Sequence, residues 1–195
     1  MNRLEEQLHS AGLQVVDHCE RLASYGPDLL EHSPLLEDFT PAEADVLAAS
    51  MLLVRAAPGQ VLIQEGDAGD WMMLILKGTV DVTKRIELRA DDADAPPVAG
   101  NNDESGAVAF THSRVAVLQR GAAIGEMSML DSGLRYTTCT AIEAVEVGVL
   151  GSHSIGLLIR DHPGVGAKLL VKITQLMAQR LRNISNQLVK ALQKA

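Results

Sequence analysis

Ile124-Gly125-Glu126-Met127-Ser128-Met129-Leu130, with Arg135 a short step downstream, is the stretch whose residue types suit chemistry. Gly125 removes a side chain and lets a ligand approach the backbone. A helical turn starting there aims free N–H groups at an anion. Arg135 adds a planar, permanently charged fork that fits phosphate oxygens. Glu126 is a poor neighbour for phosphate and a good acceptor for sugar hydroxyls. Glycine, carboxylate and arginine together suit a phosphorylated sugar, although a surface salt bridge accounts for the Glu–Arg pair equally well. Catalysis is not indicated. The six histidines show no metal-ligand spacing and no nucleophile motif. Cys19 and Cys139 stand too far apart for a zinc pattern, and a chain this poor in cysteine fits a reducing cytoplasm.

The elements that must position this stretch are legible in outline. The 195 residues are 47% hydrophobic and 22% charged, enough for one domain with appended helices. From residue 60 the apolar pattern runs in short segments: Val61–Ile63, Met72–Leu76, Val80–Val82, Ser113–Leu118, Tyr136–Ile142 and Val145–Leu150. Glycine turns at Gly66, Gly69 and Gly78 separate the first of them, which predicts an antiparallel sandwich or barrel. Before them, Leu4, Leu8, Leu13, Val16, Cys19 and Leu22 recur at helical spacing, predicting one helix over 3–24 that ends at Gly26-Pro27. Thr40-Pro41-Ala42-Glu43 reads as a capping box with proline at the first helical position, opening a second helix that carries Val46, Leu47 and Met51 inward. Ala90–Gly106 holds Asp91, Asp92, Asp94, Asp103 and Glu104 and no base, and reads as a solvated insertion between two strands. It lacks the ligand spacing of a calcium loop.

A long helix is predicted over 164–195. It carries Lys168, Lys172, Arg180, Arg182, Lys190 and Lys194 and no acid, leaving 11 of the 17 bases to face all 25 acids elsewhere. Its basic face complements either the acidic body or a partner subunit. Leu170, Ile173, Met177, Ile184, Leu188 and Ala191 approach a coiled-coil seam, so a homodimer is expected. A net charge of −8 argues against a DNA-coating role, and 3% aromatic content leaves few stacking platforms for single strands. No apolar run reaches membrane-spanning length, and the N-terminus has no signal-peptide core.

Gly59-Gln60-Val61-Leu62-Ile63-Gln64-Glu65-Gly66-Asp67-Ala68-Gly69-Asp70-Trp71-Met72-Met73-Leu74-Ile75-Leu76-Lys77-Gly78-Thr79-Val80 resembles the first half of a cyclic nucleotide-binding domain, of the type in cyclic AMP receptor proteins and protein kinase A regulatory subunits. Arg120-Gly121-Ala122-Ala123-Ile124-Gly125-Glu126 fits the same family, and the resemblance covers about residues 33–195. It implies an α+β, mainly β fold: an eight-stranded antiparallel jelly-roll-like β-roll flanked by N-terminal helices and a long C-terminal helix. The implied division is an N-terminal helical extension over 1–32, the β-roll over 33–163 with the acidic insertion at about 90–107, and a lid or dimerisation helix over 164–195.

The same resemblance makes Gly125–Thr138 a phosphate-binding cassette. Ile124, Gly125, Glu126, Met127, Ser128, Arg135, Tyr136 and Thr137 become the ligand-binding residues. Glu126 would hold the ribose 2′-hydroxyl and Arg135 the cyclic phosphate. Backbone N–H groups near Met127, Ser128 and Tyr136 would complete the cradle. The implied ligand is cAMP or cGMP, with no further cofactor and no metal. The alternatives are a cyclic dinucleotide, or a scaffold that has lost its ligand. Two departures stand out: Leu134 replaces the proline usual before the arginine, and Tyr136 is bulky where the family has a small residue, reshaping the phosphate wall or the base edge. Thr138 matches. Transcription factors of this family continue into a DNA reader, for which the residues up to Ala195 leave no room. The expectation is a stand-alone sensor, not an enzyme, that binds no DNA and acts on a regulatory protein partner.

Overall fold

The computed structural model describes residues 3–19, 21–87 and 110–193. The acidic insertion lies outside them. The chain opens with α1 (Arg3–Ser10) and β1 (Gln14–His18), then a 3-10 turn at Leu22–Tyr25 and α2 (Pro27–His32). The single helix expected over 3–24 is therefore corrected. Gly12, at φ 74°, ends α1: Leu13 N–H reaches back to Leu8 C=O and Gly12 N–H to His9 C=O, both at 2.9 Å. This double closure needs a left-handed residue, which glycine supplies without a Cβ penalty. Beyond it the chain pairs antiparallel with β2 (Leu52–Ala56).

The capping box forms as read from the sequence. Thr40 Oγ1 accepts from Glu43 N–H at 3.3 Å, and Glu43 Oε2 accepts from Thr40 N–H at 2.8 Å. It starts α3 (Pro41–Ala49), which stops short of Met51 because Leu52–Ala56 is claimed by the sheet. The remaining elements are β3 (Val61–Ile63), β4 (Trp71–Lys77), β5 (Thr79–Glu87), β6 (Phe110–Gln119), β7 (Ala123–Ile124), α4 (Glu126–Asp131), β8 (Thr138–Ala141), β9 (Val145–Gly151), α5 (Ser152–Asp161) and α6 (Pro163–Leu192).

The described residues form nine antiparallel strands, not eight, in two sheets ordered β1-β2-β9-β4-β7 and β3-β8-β5-β6. The additional strand is β1. Between the sheets lie Leu62, Ile63, Trp71, Met73, Ile75, Val80, Val82, Val147 and Val149, joined by Leu4 and Leu8 of α1. Burying each of those two leucines contributes about 1.5–3 kcal/mol, so α1 is docked on the roll. A second apolar cluster covers the outer face of the first sheet, where Met72, Leu74 and Leu76 meet Leu29, Leu47, Leu158, Leu169 and Ile173. β4 is thus buried on both faces, which is why it reads as an unbroken apolar run.

α6 divides along its length. Val165, Leu169, Lys172 and Ile173 are buried against the body, whereas every residue from Leu181 to Gln193 is exposed. Its first turns are clamped by charge. Lys168 Nζ meets both Glu43 oxygens at 2.7 and 2.8 Å and the Asp38 carbonyl at 3.0 Å. Lys172 pairs with Glu37 at 2.8 Å and with Asp38. The expected seam is shortened accordingly: Ile173 is spent on the body, and Leu181, Ile184, Leu188 and Leu192 remain as the exposed stripe. Among the described residues no helix is long and apolar enough to cross a membrane.

Candidate functional site

Gly125 is the hinge between β7 and α4. It adopts a left-handed φ of 76°, and a Cβ there would fall 2.8 Å from both Arg135 Nη1 and Ile63 Cδ1. No other residue type fits both the backbone and the space. The carbonyl of Gly125 accepts from Arg135 Nη1 at 2.7 Å, and Ser128 Oγ accepts from the same nitrogen at 2.6 Å. The guanidinium stacks over the Trp71 ring, 4.0 Å from its centroid. Gly69 closes on its other side: a Cβ there would sit 2.5 Å from Nη2. Arg135 is buried, and its Nη2 has no hydrogen-bond partner. Burial pulls its pKa down to about 10, opposed by the carboxylates of Asp70, Glu126 and Asp67, so it stays charged at neutral pH.

Glu126, the first residue of α4, is also buried. Its Oε1 pairs with Arg180 of α6, which donates in addition to the Ala123 carbonyl. Its Oε2 has no partner. Ile124 is buried beneath, and Ser128 lies between Gly125 and Arg135. Met127 and Tyr136 are exposed, and Thr137 is half-buried. The structure thus brings Ile124, Gly125, Glu126, Ser128 and Arg135 together, and sets Met127 and Tyr136 with their side chains toward solvent.

Residues that sequence reading did not assign also belong here. Trp71 supports the arginine from β4. Arg180 was visible only as one base on an acid-free helix, although bases at 168, 172 and 180 share one face and each meets an acid of the body. The segment after Arg135 is laced to the loop before β4: Arg135 N–H donates to Asp67 C=O at 2.8 Å, Gly66 N–H to Arg135 C=O at 2.9 Å, and Glu65 N–H to Thr138 Oγ1 at 3.1 Å. A cleft of about 370 Å³ opens beside Arg135 and Trp71, bounded by Arg3, Gln7 and Ser10 of α1 and by Leu62 and Asp67. Both thiols are buried, with pKa values pushed up to about 12 for Cys19 and about 11 for Cys139, so neither is a thiolate at neutral pH.

The class of fold is a two-sheet roll that frames a glycine-started helical turn, a buried carboxylate and a buried arginine. The chain is similar along 98% of its length to the crystal structure of a cyclic nucleotide-binding domain from Methylobacillus flagellatus, with TM-score 0.74, 25% identity and 96% of that chain covered. It is 30% identical over 154 residues to the cyclic AMP receptor protein of Thermus thermophilus, covering 78% of this chain and 59% of that one. It is 31% identical over 146 residues to the acetyltransferase Pat of Mycolicibacterium smegmatis, covering 73% of this chain and 37% of the relative. No protein-family model matches. Its homologues and structural neighbours are cyclic nucleotide-binding domains, and the chain spans 59% and 37% of the length of these two curated relatives.

Proposed function

We propose that the chain is a cytoplasmic sensor of cAMP or cGMP that regulates a protein partner through α6, as a homodimer, without itself being an enzyme. In this reading Glu126 receives the ribose 2′-hydroxyl and Arg135 the cyclic phosphate, with backbone N–H groups around Met127, Ser128 and Tyr136 completing the cradle. One observation carries it. Among the described residues three buried side-chain atoms lack a partner, and two of them, Glu126 Oε2 and Arg135 Nη2, belong to this site. One accepts only and the other donates only. Each such group left unmade costs about 1–3 kcal/mol. A ribose carrying a cyclic phosphate offers a hydroxyl donor and an anionic acceptor on one rigid molecule. The Thermus thermophilus relative is by name a receptor for cyclic AMP, which supports the same choice.

Titration calorimetry with cAMP, cGMP and a cyclic dinucleotide tests the reading. Arg135→Ala should weaken binding more than about tenfold, since a charge-assisted hydrogen bond is worth about 1.5–3 kcal/mol. Unchanged affinity would remove Arg135 from the site, and no binding by the unaltered chain would leave a scaffold without a ligand. The dimer is supported by the exposed stripe Leu181, Ile184, Leu188 and Leu192, an apolar surface in need of cover. Ile184→Glu with Leu188→Glu should sediment as a monomer; an already monomeric parent would exclude the seam.

A further inference from the structure

β5 carries Val80, Val82 and Lys84 on one face, two residues apart. The two valines are buried in the roll. Lys84 follows them at the mouth, where β8, which pairs only with Val80–Thr83, has ended. Its ammonium makes three contacts. Nζ donates to Glu65 Oε1 at 2.8 Å and to the Tyr136 carbonyl at 2.7 Å, and it lies 4.0 Å from the centroid of the Tyr136 ring. Glu65 is held in turn: its Oε2 accepts from Arg85 N–H at 2.8 Å. With the backbone pairs at Arg135 and the Thr138 hydroxyl described above, the stretch after the arginine is fastened at 135, 136 and 138.

This bears on the bulky residue at 136. A tyrosine immediately after the phosphate arginine has two places for its ring, inward beside the phosphate or outward into solvent. Here the residue is 60% exposed, with its ring under the Lys84 ammonium. The cation attracts the ring face while the same nitrogen fixes the peptide through its carbonyl.

We propose that Lys84, set in place by Glu65, is a positioning residue that keeps the Tyr136 ring out of the nucleotide pocket and fixes the 135–138 backbone as the phosphate cradle. The proposal rests on the cyclic nucleotide reading above. Lys84 then acts on affinity through Tyr136, and not by touching the phosphate. That distinction is measurable, because a direct ligand would matter equally whatever residue stood at 136, whereas the ring contact is lost with the tyrosine.

Lys84→Met keeps the stem and removes the charge and the donors. In the ligand-free protein, NMR follows Tyr136 as one of only two tyrosines. Its ring signal should shift, and amide exchange at 136–138 should rise about tenfold or more as the bracket is lost. Calorimetry with cAMP should show affinity falling about fivefold, the sum of a modest cation–π contact and one hydrogen bond. In a Tyr136→Ala background the same substitution should cost only about twofold, because the ring contact is already gone while the bond to the backbone carbonyl at 136 remains. Lys84→Arg should retain most of the affinity. Unchanged exchange and ring signals overturn the bracket. Undiminished affinity, or an equal loss in the Tyr136→Ala background, overturns the positioning role. If the unaltered chain binds neither cAMP nor cGMP, the functional reading fails at that first titration and the proposal falls with it. The ligand-free signals then show separately whether the bracket exists.

Discussion

Arg180→Met cuts the polar tie between α6 and the cassette while keeping an apolar stem in place. Arg180 pairs with Glu126 Oε1 and donates to the Ala123 carbonyl. The Glu126 side chain is 1% exposed and that of Arg180 38%. Removing one partner of a fully buried pair costs about 3–5 kcal/mol, because the other charge is left uncompensated. A fully exposed pair is worth about 0–1 kcal/mol. With one partner buried and the other partly in water, the expected loss is about 2 kcal/mol. Urea unfolding followed by the fluorescence of Trp71, the chain's one tryptophan, reads it directly. At an m-value of about 2 kcal/mol/M the midpoint should fall by about 1 M, with m unchanged. Glu126→Gln removes the charge that the substitution strands, so the double variant should lose at least about 1 kcal/mol less than the sum of the singles. Additivity within about 0.5 kcal/mol would refute the reasoning. A second readout separates the two halves of α6. Amide exchange should quicken over Leu176–Leu192 and stay slow over Val165–Ile173, which the buried apolar residues and the two lysines hold independently.

Two further outcomes follow from geometry already described. Lys168 first, and then Thr40, hold the Glu43 carboxyl near 2, below its ordinary 4.5. A depressed carboxyl stabilises the fold above its unfolded pKa and loses that contribution as pH falls through the folded one. The melting temperature should therefore decline from about pH 4.5 to 2 less steeply in Glu43→Gln than in the parent, and identical acid slopes would contradict the assignment. Glu87 and Phe110 are paired across the β5–β6 ladder, so the ends of the insertion already meet. Deleting Asp91–Glu104 should leave thermal stability and ligand affinity nearly unchanged, since closure entropy depends weakly on loop length. A large drop in melting temperature would show that the segment packs on the body.

The parts of the fold legible in the sequence were those fixed by local chemistry. The capping box needs only Thr40, Pro41 and Glu43. β4 needs only an apolar run, and the order of Gly125, Glu126 and Arg135 was enough to single out residues that the fold brings together. The parts missed were decided by partners distant in sequence. Val16 and Leu22 extend the helical spacing of Leu4 and Leu8, yet Gln14–His18 is a strand because β2 offers it a ladder. Gly12 was the available signal for the break, as a left-handed helix end. Lys84 and Arg180 gave no local sign of their place. Both are single bases in stretches where a solvated face is the ordinary outcome, and their carboxylate partners at 65 and 126 become neighbours only when the roll closes.

The arrangement of α6 limits how binding can become a signal. A ligand shifts a helix only by favouring one arrangement over another. The first turns of α6 are poor candidates for that shift, because displacing them breaks the Lys168 and Lys172 pairs and uncovers Val165, Leu169 and Ile173. The exposed turns beyond Leu181 touch too little to oppose it. Arg180 stands at the boundary, and its partner Glu126 is the residue with a free buried oxygen. In the proposed reading, a ribose hydroxyl arriving at that oxygen would compete for the same carboxylate charge, and the coupling between pocket and helix would concentrate in the Glu126–Arg180 pair. The segment on the far side of that pair is the distal half, with its exposed apolar stripe and no acids.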